Sequence, residues 1–137
     1  MLYLWENGTN RKARRREMLI GGIEAGGTKM VCAVAEAEKN GACPKIIDRI
    51  SLPTGQPKET LTEIIDYFKK REIEALGIGC FGPVDLDRDS DMYGHITKTP
   101  KPGWENCNMV GVFREALQVP VGFDTDVNGA VLGEVTW

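Results

Sequence analysis

An α/β fold, a mixed β-sheet with helices packed on its faces, is what three observations predict for this chain. Three apolar runs separated by turn-forming glycines and an asparagine come first, and helical and strand patterns then alternate to the end. The third observation is size: 137 residues, 42% of them hydrophobic, suffice for about one domain with a real core.

Residues 19–24 and 30–35 read as two strands around the turn Gly26-Gly27-Thr28, and residues 45–51 read as a third after the Asn40-Gly41 break. Together they predict an antiparallel meander. In "PKETLTEIIDYFKKR", Leu61, Ile64, Ile65 and Phe68 fall at i, i+3, i+4 and i+7. Pro57 suits the first turn of such a helix, and Lys69, Lys70 and Arg71 suit the last. "ALGIGCFG", residues 75–82, is a short apolar run suited to a buried strand, and it ends at Gly82-Pro83. "NMVGVFREAL" follows, with Val112, Phe113, Ala116 and Leu117 predicted on one helical face and Pro120 beyond it. "VPVGF" is the last strand. It leads into Asp124-Thr125-Asp126, and residues 127–134 begin a third helical pattern with an aspartate at its cap.

Residues 1–17 lack an apolar period of either kind and carry five Lys/Arg against two acids, so they are read as a solvated basic tail outside the fold. Met18, directly ahead of the first strand, is a natural alternative start. Residues 18–137 carry twelve Lys/Arg against eighteen acids, which argues against a nucleic-acid-binding face. The apolar stretch after the arginines is short and broken by Glu24, unlike a secretory leader, and no run approaches the roughly 18 apolar residues of a membrane span. Cys32, Cys43, Cys80 and Cys107 form no CxxC pair, and three of them lie in or beside apolar runs. They read as buried thiols of a cytoplasmic protein rather than zinc ligands.

The turn in "GGIEAGGTKMVCAV" admits two readings. Glycine lets the backbone N–H groups approach an anion closely, with Thr28 and Lys29 adding a hydroxyl and a charge, which points to phosphate. Gly-Gly between two strands is also an ordinary hairpin turn. Between residues 83 and 104 the chain is loop-like. The alternating acids Asp85, Asp87, Asp89 and Asp91 lack the central glycine and terminal glutamate of a calcium loop, and are read as an exposed loop. His95, the only histidine, has no neighbour in sequence that would complete a metal or nucleophile site and is read as a surface residue. Asp124 and Asp126 sit where a strand hands over to a helix, as caps or as functional carboxylates.

The element order matches one lobe of the ribonuclease-H-like or actin-like ATPase fold, in which the three turns at residues 26–27, 82–83 and 124–126 meet at one sheet edge. "GGIEAGGTK", "GCFGPVDLD", "YGHITKTPKPGW" and "DTDVNGAVLGE", in that order, resemble the N-terminal half of bacterial fructokinases of the ROK family of sugar kinases, over residues 18–137. The resemblance implies ATP-phosphate binding by Gly26, Gly27, Thr28 and Lys29, and magnesium held through water by Glu24. It implies a sugar pocket shaped by Gly82, Pro83, Gly103, Thr125 and Asp126, with Asp126 as catalytic base. The expected reaction is phosphorylation of a hexose, D-fructose to fructose 6-phosphate, by a homodimeric complete enzyme. Two positions depart from the pattern: His95 stands where tyrosine is expected, and Gly129 replaces the usual alanine in the helix after Asp126.

A zinc site and the adenosine pocket are implied only for a second lobe that finds no match within residues 1–137, so the chain alone is expected to lack kinase activity and to bind ATP weakly. A sugar-sensing regulator of the same family is the alternative, although residues 1–17 are too short for the DNA-binding segment such regulators carry. A nuclease would need Glu24, Asp124 and Asp126 as its metal-binding carboxylates.

Overall fold

The computed structural model describes residues 5–6, 9–10, 17–38 and 44–125. Two short strands, β1 (Trp5–Glu6) and β2 (Thr9–Asn10), pair antiparallel as a separate two-stranded ladder within the basic segment. The main sheet has five strands: β3 (Glu17–Ala25), β4 (Lys29–Glu38), β5 (Lys45–Pro53), β6 (Ala75–Cys80) and β7 (Val121–Thr125). Their spatial order is β5-β4-β3-β6-β7. The first three form the predicted antiparallel meander, whereas β6 and β7 join parallel to β3. β3 starts two residues ahead of its apolar pattern because pairing with β4 continues to Glu17 opposite Glu38.

Helix α1 (Pro57–Lys69) carries Thr60, Leu61, Ile64, Tyr67 and Phe68 inward, with Pro57 in its first turn. Gln56 at its N-cap offers no side-chain bond, so the start depends on proline geometry. Helix α2 (Met109–Leu117) is capped by Asn108, whose side chain accepts from the Gly111 amide, and it ends at Gln118 in the left-handed conformation. Its fully buried residues are Met109, Val110 and Phe113, which extend the predicted Val112, Phe113, Ala116 and Leu117 stripe by one turn toward the N-terminus, and Val112 and Leu117 pack partly buried against the same core. The cap fixes the helix start, and the later residues are left half-buried. The third predicted helix, residues 127–134, lies outside the described residues.

Both described helices cover the same sheet face. Alternation along the strands sends Ile23 and Ala25, Cys32 and Val34, and Leu76 and Ile78 into a core shared with Leu61, Ile64, Phe68 and Phe113. Residues 20, 22 and 24 of β3 project to the other face.

Candidate active site

Because β3, β6 and β7 are parallel, their C-terminal ends lie at one edge of the sheet. Ala25, Cys80 and Thr125 are in register across the three strands, so Thr125 stands two strand spacings, roughly 10 Å, from the end of β3. One residue back, Glu24, Gly79 and Asp124 form a second row on the opposite face. The central position of that row is a glycine, so no side chain intervenes between the two carboxylates along it. Glu24 is exposed and Asp124 half-buried, and Asp124 Oδ1 accepts the Thr125 amide at 2.8 Å.

The Gly26-Gly27 turn is the β3–β4 hairpin itself. The Gly26 amide donates to the Lys29 carbonyl at 3.0 Å, which leaves Gly27 and Thr28 at the tip. A Cβ on Gly26 would lie 2.8 Å from the Lys29 oxygen, so a bare backbone is required there. At Gly27 nothing stands within 4 Å of the Cβ position. Thr28 and Lys29 are exposed, and Lys29 begins β4 beside the open tip.

Thr54, just past β5, grips this hairpin, a contact that no local sequence pattern marks. Its hydroxyl donates to the Gly26 carbonyl at 2.7 Å and its amide donates to the Thr28 carbonyl at 2.9 Å, while its side chain is buried. The next residue, Gly55, donates its amide to Thr60 Oγ1 and accepts the indole N–H of Trp104 at 2.9 Å.

That indole anchors the second cluster of predicted residues. Trp104 is fully buried and meets Phe81 edge-on, with ring centroids 5.9 Å apart. The Phe81 amide in turn donates to the Ala25 carbonyl at 2.8 Å, which fixes Gly82 and Pro83 beside the end of β3. Gly82-Pro83 is a cis peptide, and both residues are exposed. Thr97 donates its amide and its hydroxyl to the Pro83 carbonyl, closing the excursion between them. Gly103 adopts a positive φ of 86°, and a Cβ there would meet Gln56 Oε1 at 2.7 Å. Gly26, Gly27, Thr28, Lys29, Gly82, Pro83, Gly103 and Thr125 thus gather around one end of the sheet. Asp126, the predicted base, lies outside the described residues.

The remaining polar features shape the scaffold. Asp85 accepts the Ser90 hydroxyl and the Asp87 amide, which hold its carboxyl below the ordinary value, and Asp87 in turn accepts the Asp89 amide. The acids are turn formers. His95 is half-buried rather than on the open surface, with Nδ1 within reach of the Met92 and Tyr93 carbonyls. Burial, with help from the Glu63 charge, pushes the Cys32 thiol up to about 12, an inert core thiol.

Residues 20–137 match the ROK family. The chain belongs to the ROK family. Its relatives include the fructokinase of Lactococcus lactis subsp. cremoris, 48% identical over 115 residues, and that of Pediococcus pentosaceus, 46% identical over 117 residues. These alignments cover 84% and 85% of this chain but 38% and 39% of the relatives, so the chain spans about two-fifths of their length. A ROK hexokinase from Thermus thermophilus superposes with a TM-score of 0.66 at 25% identity, covering 85% of this chain and 38% of that one. A ROK glucokinase from Streptomyces griseus, solved with glucose and AMPPNP, gives 0.64 at 24% identity over 86% of this chain and 36% of its own. The ROK sheet is thus the actin-like ATPase lobe expected from the element order.

Proposed function

We propose that this chain is the N-terminal lobe of an ATP-dependent sugar kinase that phosphorylates a hexose, D-fructose, at its 6-hydroxyl. The observation that carries the reading is the convergence of the glycine hairpin, the Gly82-Pro83 turn and Thr125 at the C-terminal ends of three parallel strands. Fructose rather than another hexose rests on relatives that bear the name fructokinase.

The hairpin fits a nucleotide phosphate, because the Gly27 tip is open where a side chain would otherwise fill the space. Gly26 and Gly27 bring the backbone close to the phosphates, and Thr28 and Lys29 supply a hydroxyl and a positive charge beside them. Glu24, exposed with the glycine of the neighbouring strand leaving room beside it, would hold magnesium through water. Magnesium, when bound, neutralises charge on the β- and γ-phosphates. Gly82, Pro83, Gly103 and Thr125 line the sugar side.

Asp126, one residue beyond Thr125 at a strand end, accepts the proton of the sugar hydroxyl as its oxygen attacks the γ-phosphorus and ADP leaves. Placement at a helix N-terminus would favour its charged form by about 0.3–1 kcal/mol and slightly weaken it as a base. Positioning therefore outweighs basicity in its role. The second lobe, a homodimer and a zinc site outside this chain belong to the same proposal for the complete enzyme.

Phosphorylation of a sugar panel by a full-length protein carrying this lobe tests the reading. Fructose should give the highest kcat/KM, and Asp126→Asn should abolish turnover while ATP still binds. A clear preference for glucose or N-acetylmannosamine would overturn the substrate, and retained turnover in the variant would remove Asp126 as the base.

A further inference from the structure

We infer that Thr54 is a positioning residue for nucleotide phosphate, and that the Thr54-Gly55 pair ties the phosphate hairpin to the sugar-side loop. The inference rests on the kinase reading for its functional consequence and on hydrogen bonds alone for the clasp. Four bonds meet at these two residues. The Thr54 hydroxyl and amide hold the carbonyls of Gly26 and Thr28, on either side of the open Gly27 position, at 2.7 and 2.9 Å. The Gly55 carbonyl accepts the Trp104 indole at 2.9 Å, and the Gly55 amide is anchored on Thr60 of α1 at 3.0 Å.

The geometry has a direct consequence for the tip. A hairpin end that enters through Gly26 and turns at Gly27 has wide backbone freedom of its own. Its N–H groups serve an anion only if the peptide planes are already set. Fixing the carbonyls of Gly26 and Thr28 orients the peptide units that contain the Gly27 and Lys29 amides, because each carbonyl shares a plane with the following N–H. Thr54 is buried, so these bonds are shielded from competing water. Through Gly55 and Trp104, the same two-residue junction also touches the segment that carries Gly103, giving the two halves of the site a common support.

Three proteins decide this: wild type, Thr54→Val, which keeps the shape and the amide but loses the hydroxyl, and Thr54→Ser, which restores it. In the 137-residue chain, amide hydrogen exchange at residues 26–29 should be about tenfold faster in Thr54→Val, the scale of one lost hydrogen bond, with β6 amides unchanged and Thr54→Ser close to wild type. In the full-length enzyme, Thr54→Val should raise KM for ATP by a similar factor while KM for the sugar holds, and Thr54→Ser should rescue it. Unchanged hairpin exchange in Thr54→Val, or Thr54→Ser as fast as Thr54→Val, overturns the clasp. Faster exchange with an unchanged KM for ATP in an active enzyme overturns the positioning role. A wild-type enzyme without sugar-dependent turnover refutes the kinase reading, and with it the phosphate role of Thr54, while exchange still decides the clasp.

Discussion

Replacing Gly26 with alanine sets the hairpin's backbone against a side chain, and its neighbour supplies the control. The new Cβ would lie 2.8 Å from the Lys29 oxygen, whereas ordinary contact begins at 3.4 Å. Relief requires moving that carbonyl by roughly 0.6 Å, which stretches its bond from the Gly26 amide out of hydrogen-bonding range. The Thr54 bonds to Gly26 and Thr28 resist the same movement, so part of the clash persists as strain. One lost hydrogen bond plus residual strain comes to about 1–3 kcal/mol. For a domain of this size each kcal/mol is worth about 4 °C, so Gly26→Ala should lower Tm by roughly 4–12 °C. Gly27→Ala, with nothing within 4 Å of the new methyl, should melt within about 2 °C of wild type or slightly above it. Differential scanning calorimetry of both variants measures this. Equal melting of Gly26→Ala and wild type, or an equal fall for Gly27→Ala, would refute the reasoning.

Two further predictions concern the scaffold. The Asp48 carboxyl is held below its ordinary value chiefly by the Tyr67 hydroxyl at 2.7 Å, and also by the Arg71 guanidinium, itself stacked on the Tyr67 ring. A carboxyl depressed in the folded state contributes stability that is complete above its unfolded pKa of about 3.9 and is lost as pH falls through the lower folded value. Asp48→Asn should therefore flatten the acid limb of a urea-denaturation profile against pH and leave its shape above pH ~5 unchanged; an acid limb as steep as that of wild type would contradict the assignment. Cys32, fully buried with its thiol raised to about 12, should stay unmodified by iodoacetamide at pH ~8 in native protein and react once urea unfolds it, as read by peptide mass spectrometry.

The strands were legible because their signals are local. Apolar alternation and the Gly26-Gly27 break mark the meander, and the i, i+3, i+4, i+7 spacing of Leu61, Ile64, Ile65 and Phe68 marks α1. The inward face of α2 is legible in Val112, Phe113 and Leu117, but its first turn is not, because Met109 and Val110 look like a lead-in until the Asn108 cap shows that the helix starts there. Residues 83–104 carry no apolar period. Their shape comes from bonds between distant residues, such as Thr97 to Pro83 and Trp104 to Gly55, which no local pattern encodes. Thr54 is inconspicuous for the same reason. In sequence it is a polar residue between a strand and a helix, and its role appears only when the β3–β4 hairpin folds against it. The shared edge formed by the C-terminal ends of β3, β6 and β7 was foreseeable from element order, since parallel strands joined by crossovers share one ligand-facing edge.

The central claim is that the glycine hairpin at residues 26–29 receives nucleotide phosphate. A titration of the ¹⁵N-labelled 137-residue chain with magnesium and a non-hydrolysable ATP analogue, followed by amide chemical shifts, tests it most directly, because weak binding is still registered residue by residue. The account predicts saturating shifts concentrated at Gly26, Gly27, Thr28 and Lys29, with smaller ones at Thr54 and Thr125 and little change along β5 or the outer face of α1. Shifts that spare the hairpin, or that appear equally with magnesium alone, would contradict it.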